Sequence, residues 1–565
     1  MVRKQVSVLL LPLLFMALLL STVGGCQRST EQGLSAWTGN ANVRTLDGNV
    51  EGKAKGEDVL VWKGIPYAEP PVGDLRWKAP RDPDPWKGTL EADDFGSECT
   101  QYGITGLIKG SEDCLYLNIW RPQSDEDDLP VHFWIHGGGN SMGAASEKGY
   151  DGANLAGKWD MVVVTVNYRL GPLGWFTCEA LRSDEPGAQL DDSGNYGTLD
   201  LIKALTWVKD NIAAFGGDPG RVTVAGESAG AINIFSLLIS PQATGLFHGA
   251  IAQSGMPIAL PVAAGEESAR EVILKLLVAD ETASDNVEAQ EHLNRMSDDD
   301  VSAYLRSKPP DKLLGAYEAT GFGMISFPFI FEDGTVIPEA GFDVLETGNY
   351  PNKVPIIIGS NKEETKIFLA FANSALSKNE ALYQKVASVT SDLWKARGVD
   401  EMARKLRLQA DQPAVYCYQF LWGAADASGK SVIPGEWGFK LGACHAMDVP
   451  FFFGNWNFFD VLSGAVFNEQ NRPGREALSN NMQAYVAQFV RTGDPSPDGC
   501  GLVEWTPWSN AAGEPKCVLL NADLNTAGIA MSTVEVTAGE VTARIDAEVQ
   551  QVINSFSGAL PFLVG

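Results

Sequence analysis

Positive charge and histidine are scarce in this sequence. Lys and Arg number 43 against 71 Asp and Glu, a net charge of -28 at pH 7. Such a surface repels nucleic-acid phosphates and anionic lipid, so neither is expected as a partner. Only five histidines occur, which makes the search for an imidazole base a short one. No segment recurs at a fixed period, so solenoids and propellers are excluded. No cysteines stand in C-x-x-C spacing, and no metal site is expected. The apolar run VSVLLLPLLFMALLL at residues 6–20 is shorter than the roughly 20 residues of a membrane-spanning helix.

What is present describes an ordinary globular chain. Apolar residues make up 45% and the mean hydropathy is -0.07, with glycine and proline spread throughout. The short apolar run follows Arg3 and Lys4, as in a secretory signal. Val23, Gly24 and Gly25 then lead to Cys26, which resembles a bacterial lipobox. The expectation is a signal peptide over residues 1–25 and acylation of Cys26. A polar tether over 26–39 and a catalytic domain over 40–565 follow. Gln27 after the cysteine favours the outer membrane, facing periplasm or exterior. An ordinary cleaved signal and a secreted protein are the alternative. Membrane contact is then expected only through the lipid on Cys26.

Export places the remaining cysteines in an oxidising compartment. Cys99 with Cys114, and Cys500 with Cys517, bracket short loops and are candidate disulfides. A bridge closing a loop of about 15 residues contributes about 3 kcal/mol in the chain-entropy model. Cys417 and Cys444 are a further candidate pair, and Cys178 is left over.

Apolar strands and periodic helices alternate along the chain. LPVHFWIHGGGNSMG, DMVVVTVNYRLGPLGWF, RVTVAGES, HGAIAQSG, KVPIIIGSN and PAVYCYQFLW each read as a buried strand, some running into a loop. In NYGTLDLIKALTWVKDNIAAFGG, Leu201, Ala204, Leu205, Val208 and Ile212 share a helical face, and Gly216 and Gly217 end it. AGAINIFSLLIS, QKVASVTSDLWKARGVDEMARKL and TARIDAEVQQVINSF also read as helices. Residues 263–320 form a polar helical insertion. This alternation predicts an α/β fold with a mostly parallel sheet covered on both faces.

The chemistry centres on Gly226-Glu227-Ser228-Ala229-Gly230, a G-x-S-x-G between a strand and a helix. That turn exposes a serine Oγ at a sharp bend and sets the Ala229 N–H at a helix N-terminus, which favours an anion. In hydrolases built on this turn the order along the chain is serine, acid, histidine. His132, His136 and His248 do not fit that order: His132 lies within a strand and His136 shapes the glycine loop. His292 sits on a charged helix with no acid strand before it. His445 is therefore the base. The turn after VPIIIGSN offers Glu363 and Glu364 as the acid, with Asp448 an outside candidate. Gly137 to Gly139 supply N–H donors that, with Ala229, form an oxyanion hole. No G-K-[ST] follows these glycines, which argues against phosphate binding.

Longer stretches carry a resemblance. WKGIPYAEPPVGDLRW, SEDCLYLNIW, WIHGGGN, VNYRLGPLGWF, GNYGTLDLIKALTWVKDNIAAFGGDP, VTVAGESAGA, AQSG, GSNKEET and GACHAMDVPFFFGN are similar to the type-B carboxylesterases, the cholinesterase/carboxylesterase branch of the α/β-hydrolases. The resemblance implies Ser228 as nucleophile, Glu364 as acid and His445 as base, with Gly138, Gly139 and Ala229 as the oxyanion hole. Ser254 of QSG and Glu227 would support the site, and Cys99–Cys114 would be the first disulfide. It implies a central sheet with helical insertions around a gorge, for which Phe322, Phe327, Phe329, Trp437 and Phe439 are candidate lining. The partner is a small-molecule ester and no cofactor is required. A lipase for longer chains is the alternative, followed by a non-catalytic binding member of the fold. Asn140 stands where the family usually has Phe or Tyr. The loop between Cys99 and Cys114 carries no tryptophan, which argues against a choline ester.

Overall fold

Every side chain of the valine-rich run Val162–Val166 is buried, as expected of a strand with both faces covered. The computed structural model describes residues 37–555, apart from 104, 184, 373–375, 459–461, 497, 498 and 500. The signal peptide, Cys26, most of the tether and Cys500 lie outside the described residues. Trp37, placed by sequence at the end of the tether, belongs to the fold. It is buried under Arg121, whose guanidinium lies 3.7 Å from the ring centre.

The central sheet has eleven strands. They are β1 (Lys53–Lys55), β2 (Val59–Pro66), β3 (Tyr116–Pro122), β4 (Leu129–Ile135), β5 (Val162–Val166) and β6 (Gly217–Glu227). Then follow β7 (Gly249–Gln253), β8 (Ile356–Asn361), β9 (Val415–Phe420), β10 (Cys517–Ala522) and β11 (Ala527–Ser532). Their order across the sheet is β1-β2-β3-β5-β4-β6-β7-β8-β9-β10-β11. All pairs from β5 to β10 are parallel, and the flanking pairs are antiparallel. This is the α/β-hydrolase arrangement that the sequence implied.

Alternation along the strands builds two cores. Val131, Phe133 and Ile135 of β4 face one layer and Trp134 the other; on β9, Val415 and Cys417 oppose Tyr416, Tyr418 and Phe420. The first layer is covered by α1 (Tyr196–Asn211), α2 (Ala229–Ile239), α3 (Val262–Ala279) and α6 (Glu380–Lys395). Between α3 and α6 lie α4 (Asn286–Leu293) and α5 (Asp298–Arg306), which belong to the expected insertion. The other face is covered by α8 (Arg472–Thr492). That helix and the strands β10 and β11 have no counterpart in the sequence reading.

Two further elements depart from expectation. The single helix anticipated over 384–406 is split: α6 passes through a π-helical turn at Ala396–Asp400 into α7 (Glu401–Leu406). The widened turn lets Gly398 press on the strand end after β7, where a Cβ would stand 2.2 Å from the Gly255 carbonyl oxygen. The insertion also ends in a hairpin, Glu318–Gly321 with Met324–Ser326.

Of the cysteine pairs, Cys99–Cys114 is bridged, with Cα atoms 5.0 Å apart. The Cys500–Cys517 candidate falls on Cys500, outside the described residues; Cys517 is buried, starts β10 and faces the core. Cys417 and Cys444 are separate free thiols. They face opposite layers of the sheet, Cys417 the first and Cys444 the second.

A buried ion pair ties the loop after β5 to α1. Asp200 accepts the Arg169 backbone N–H at 2.9 Å, Nε at 2.8 Å and a terminal nitrogen at 2.7 Å. Removing one partner leaves the other charge uncompensated in the interior. Asp200→Ala is therefore expected to cost about 3–5 kcal/mol, read as a lower urea midpoint with an unchanged slope.

Candidate active site

The turn at Ser228 is built by two close approaches. A Cβ at Gly226 would stand 2.6 Å from the Ile135 carbonyl oxygen, and one at Gly230 only 2.1 Å. Any larger residue would push β6 and α2 away from the end of β4. With glycine at both places the chain reverses at Ser228, which takes φ 58° and ψ -119°, a conformation costly for a residue with a side chain. The turn is held by the Ser228 N–H, which donates to the Gln253 carbonyl at 2.8 Å. Ser228 is half-buried at the N-terminus of α2.

The glycine loop lies directly against this turn. A Cβ on Gly137 would meet Glu227 O at 2.9 Å and Ser228 Cβ at 3.1 Å. Gly138 and Gly139 have φ of 100° and 60°, so the loop folds over the serine in a form that favours glycine. Amides of Ser141 and Met142 donate back to the Gly138 carbonyl at 3.1 and 3.0 Å and fix the bend. Ala229 is fully buried at the first turn of α2. These residues, predicted to hold an oxyanion, are brought to one place.

Asn140 turns inward. It is fully buried, and its Oδ1 accepts from Asn233 Nδ2 at 2.9 Å. Met324 of the hairpin instead lies over Gly139, with Sδ 3.0 Å from where a Cβ would be.

Of the two glutamates after β8, the structure separates the roles. Glu363 pairs with Lys366 at 2.8 Å and accepts the Ala443 N–H at 3.1 Å. Glu364 is fully buried and turns to the imidazole: His445 Nδ1 stands 2.6 Å from Glu364 Oε2. The other oxygen, Oε1, accepts from Ser254 Oγ at 2.5 Å and from the Asn361 N–H at 2.6 Å. Three groups thus hold this carboxylate in one orientation. Asp448 is bound elsewhere, by Tyr418 OH at 2.5 Å and Asn361 Nδ2 at 3.1 Å.

The remaining histidines are accounted for. His132 packs on Trp134 and Phe453, and His136 stacks on Tyr168 with Nδ1 2.8 Å from the Gly137 carbonyl. His248 Nδ1 receives the Val222 N–H at 3.3 Å, and His292 sits on α4.

The far ring nitrogen of His445, Nε2, lies 3.0 Å from Glu227 Oε1 but out of hydrogen-bond alignment, which leaves both buried atoms with unused bonding capacity. Burial pulls the imidazolium down, yet the carboxylates of Glu227 and Glu364 outweigh it and raise His445 to about 9. Burial pushes Glu227 up to about 8, against the attraction of His445, and Asp448 up to about 6. Trp394 and Phe368 flank the ring at 4.9 and 5.2 Å. The Trp394 indole N–H also donates to the Ser254 carbonyl at 3.2 Å. Sequence reasoning did not single out Phe368, Trp394 or Asn361, because all three look like ordinary helix or strand-end residues.

Among the expected gorge aromatics, Phe322 contacts Phe368 and Phe371, and Trp437 stacks near Phe371. Phe327 and Phe329 pack on each other, and Phe329 on Trp175. Phe439 packs on Tyr383, away from the imidazole group. Among the described residues no cluster of three or more metal-ligating side chains occurs.

Known proteins share this arrangement of chain. A model of the carboxylesterase family matches residues 39–388 and 372–535. The para-nitrobenzyl esterase of Bacillus subtilis (strain 168) is 33% identical over 481 residues, which cover 82% of this chain and 91% of that protein. The fumonisin B1 esterase of Sphingopyxis macrogoltabida is 39% identical over 334 residues, covering 57% and 56%. A solved carboxylesterase of Geobacillus stearothermophilus superposes with TM-score 0.69 at 31% identity, over 90% of this chain and 100% of that one.

The electrostatics predict a titration. The His445 ring should take up its proton well above the ordinary pKa of about 6.5. Glu227→Gln removes a negative charge beside Nε2 and should move that titration to lower pH. Ring NMR of histidine-labelled wild type and variant reads both values, and an unmoved titration would show that Glu227 does not act on the imidazole.

Proposed function

The chain belongs to the carboxylesterase family and hydrolyses carboxylic esters; we propose that it does so through an acyl-enzyme on Ser228, with His445 as base and Glu364 as acid. His445 Nε2 takes the Ser228 proton as Oγ attacks the ester carbonyl. The N–H groups of Gly138, Gly139 and Ala229 stabilise the resulting oxyanion. The imidazolium gives its proton to the leaving alcohol, and the bond to Glu364 holds it in place. Water then repeats the cycle from the other side and releases the acid. Ser254 positions Glu364, and Glu227 sits beside the transferring proton. No metal or cofactor enters.

The observation that carries this reading is the chain Ser254–Glu364–His445, with links of 2.5 and 2.6 Å, beside a strained serine under a glycine loop. The test is a p-nitrophenyl ester series, from acetate to palmitate, with wild type and Ser228→Ala. Wild type should turn over and the variant should lose at least about 10³-fold in kcat. Equal rates in both would remove Ser228 from the mechanism. A profile rising toward long chains at an interface would favour a lipase.

The N-terminal residues support export as a lipoprotein acylated on Cys26, with the enzyme tethered to the outer membrane. Cys26→Ser should then move the activity from the membrane fraction to the soluble one. An unchanged distribution would speak against lipidation at this cysteine.

A further inference from the structure

Two thiols unused by the proposed mechanism lie side by side in the sheet. β9 and β10 are parallel with Tyr418 opposite Val518, so Cys417 and Cys517 stand next to each other one residue earlier. Both face the same core layer, which contains Trp508, while Tyr418 and Val518 face the other. Their exposures are 0% and 1%. Neighbouring strands lie about 4.7–4.9 Å apart, inside the Cα separation of about 4.4–6.8 Å that a disulfide requires. Burial first, and the neighbouring Cys517 next, hold the Cys417 thiol well above its ordinary pKa.

We propose that Cys417 and Cys517 are joined by a second disulfide in the exported protein. The inference rests on the export reading above. Each thiol gives up its proton and the pair gives up two electrons as the Sγ–Sγ bond forms. A disulfide donor of the oxidising compartment accepts them and is reduced to two thiols. Both side chains are closed off once the sheet is complete, so the bond forms while β10 is docking. The surroundings suit a closed pair. Lys395, near enough for both cysteines to bear on its charge, is held by Asp400 at 2.5 and 2.6 Å. Asp400 in turn accepts the Val536 N–H at 2.7 Å. Bonding the thiols thus leaves the neighbouring lysine partnered and no buried charge alone. The bridge fastens the late strand β10, and β11 paired with it, to β9.

The test is peptide mapping of the full chain secreted into an oxidising compartment, trapped by alkylation without reduction. Only molecules with Cys99–Cys114 closed are scored, so a failure of export is told apart from a failure of the pair. A Cys417–Cys517 cross-linked peptide, 2 Da lighter than the sum of its parts and lost on reduction, is expected. Alkylated thiols at both positions, or Cys517 linked to Cys500, would overturn the proposal. A Cys517→Ala chain should leave Cys417 fully alkylated with Cys99–Cys114 still closed.

Discussion

The carbonyl of Ile135 at the end of β4 is the constraint on which the rest of the site depends. It occupies the space where side chains at 226 and 230 would begin. Two glycines let β6 and α2 close on it, and the chain can reverse only by forcing Ser228 to positive φ. The same strand continues into the glycine loop, so the contact that strains the serine also fixes the loop beside it. The proposed nucleophile and the glycine loop are thus aligned by backbone packing rather than by side-chain adjustment. That is the preorganisation such chemistry needs.

The other half of the site is assembled from the ends of neighbouring parallel strands. β7 leads into Ser254, β8 ends in Asn361 and leads to Glu364, and a loop following β9 carries His445. Side chains more than a hundred residues apart in sequence meet because the sheet orders their strands side by side at the carboxyl edge. Ser254, like Ser228, has positive φ at 55°, and its N–H donates to the Gly359 carbonyl at 2.7 Å. Two strained serines thus stand at adjacent strand ends, and Ser254 donates to the carboxylate that holds the imidazole.

The sequence made these parts legible to different degrees. G-x-S-x-G, the glycine triplet and the lone suitable histidine were readable because each has a fixed backbone need or is rare. Glu363 and Glu364 were not separable by spacing alone; the resemblance chose Glu364, and the structure shows the physical reason, Lys366 capturing Glu363. The parallel core was readable from its valine- and isoleucine-rich runs. β10 and β11 were not, since CVLLNA and AGIAMS are short and weakly patterned, and only the pairing of β10 with β9 and of β11 with β10 makes them strands. The π-helical turn was hidden because its cause, the Gly255 carbonyl, lies far off in sequence. Cys517 was read with its sequence neighbour Cys500, whereas the sheet puts it beside Cys417.

Three carboxyl groups surround one imidazole, and the balance of charge decides how they act. Glu364 accepts from three groups, Ser254, Asn361 and His445. Burial raises Glu227 and Asp448, and Asp448 is further contained by Tyr418 and Asn361. Glu227 Oε1 and His445 Nε2 lie 3.0 Å apart, so the two groups titrate as a pair and not as independent groups. The Glu227 and Glu364 carboxylates stabilise the imidazolium from both sides, the charge that the proposed mechanism forms on His445. Lys366 is already paired with Glu363, so the charge that faces the imidazole is that of the acidic groups.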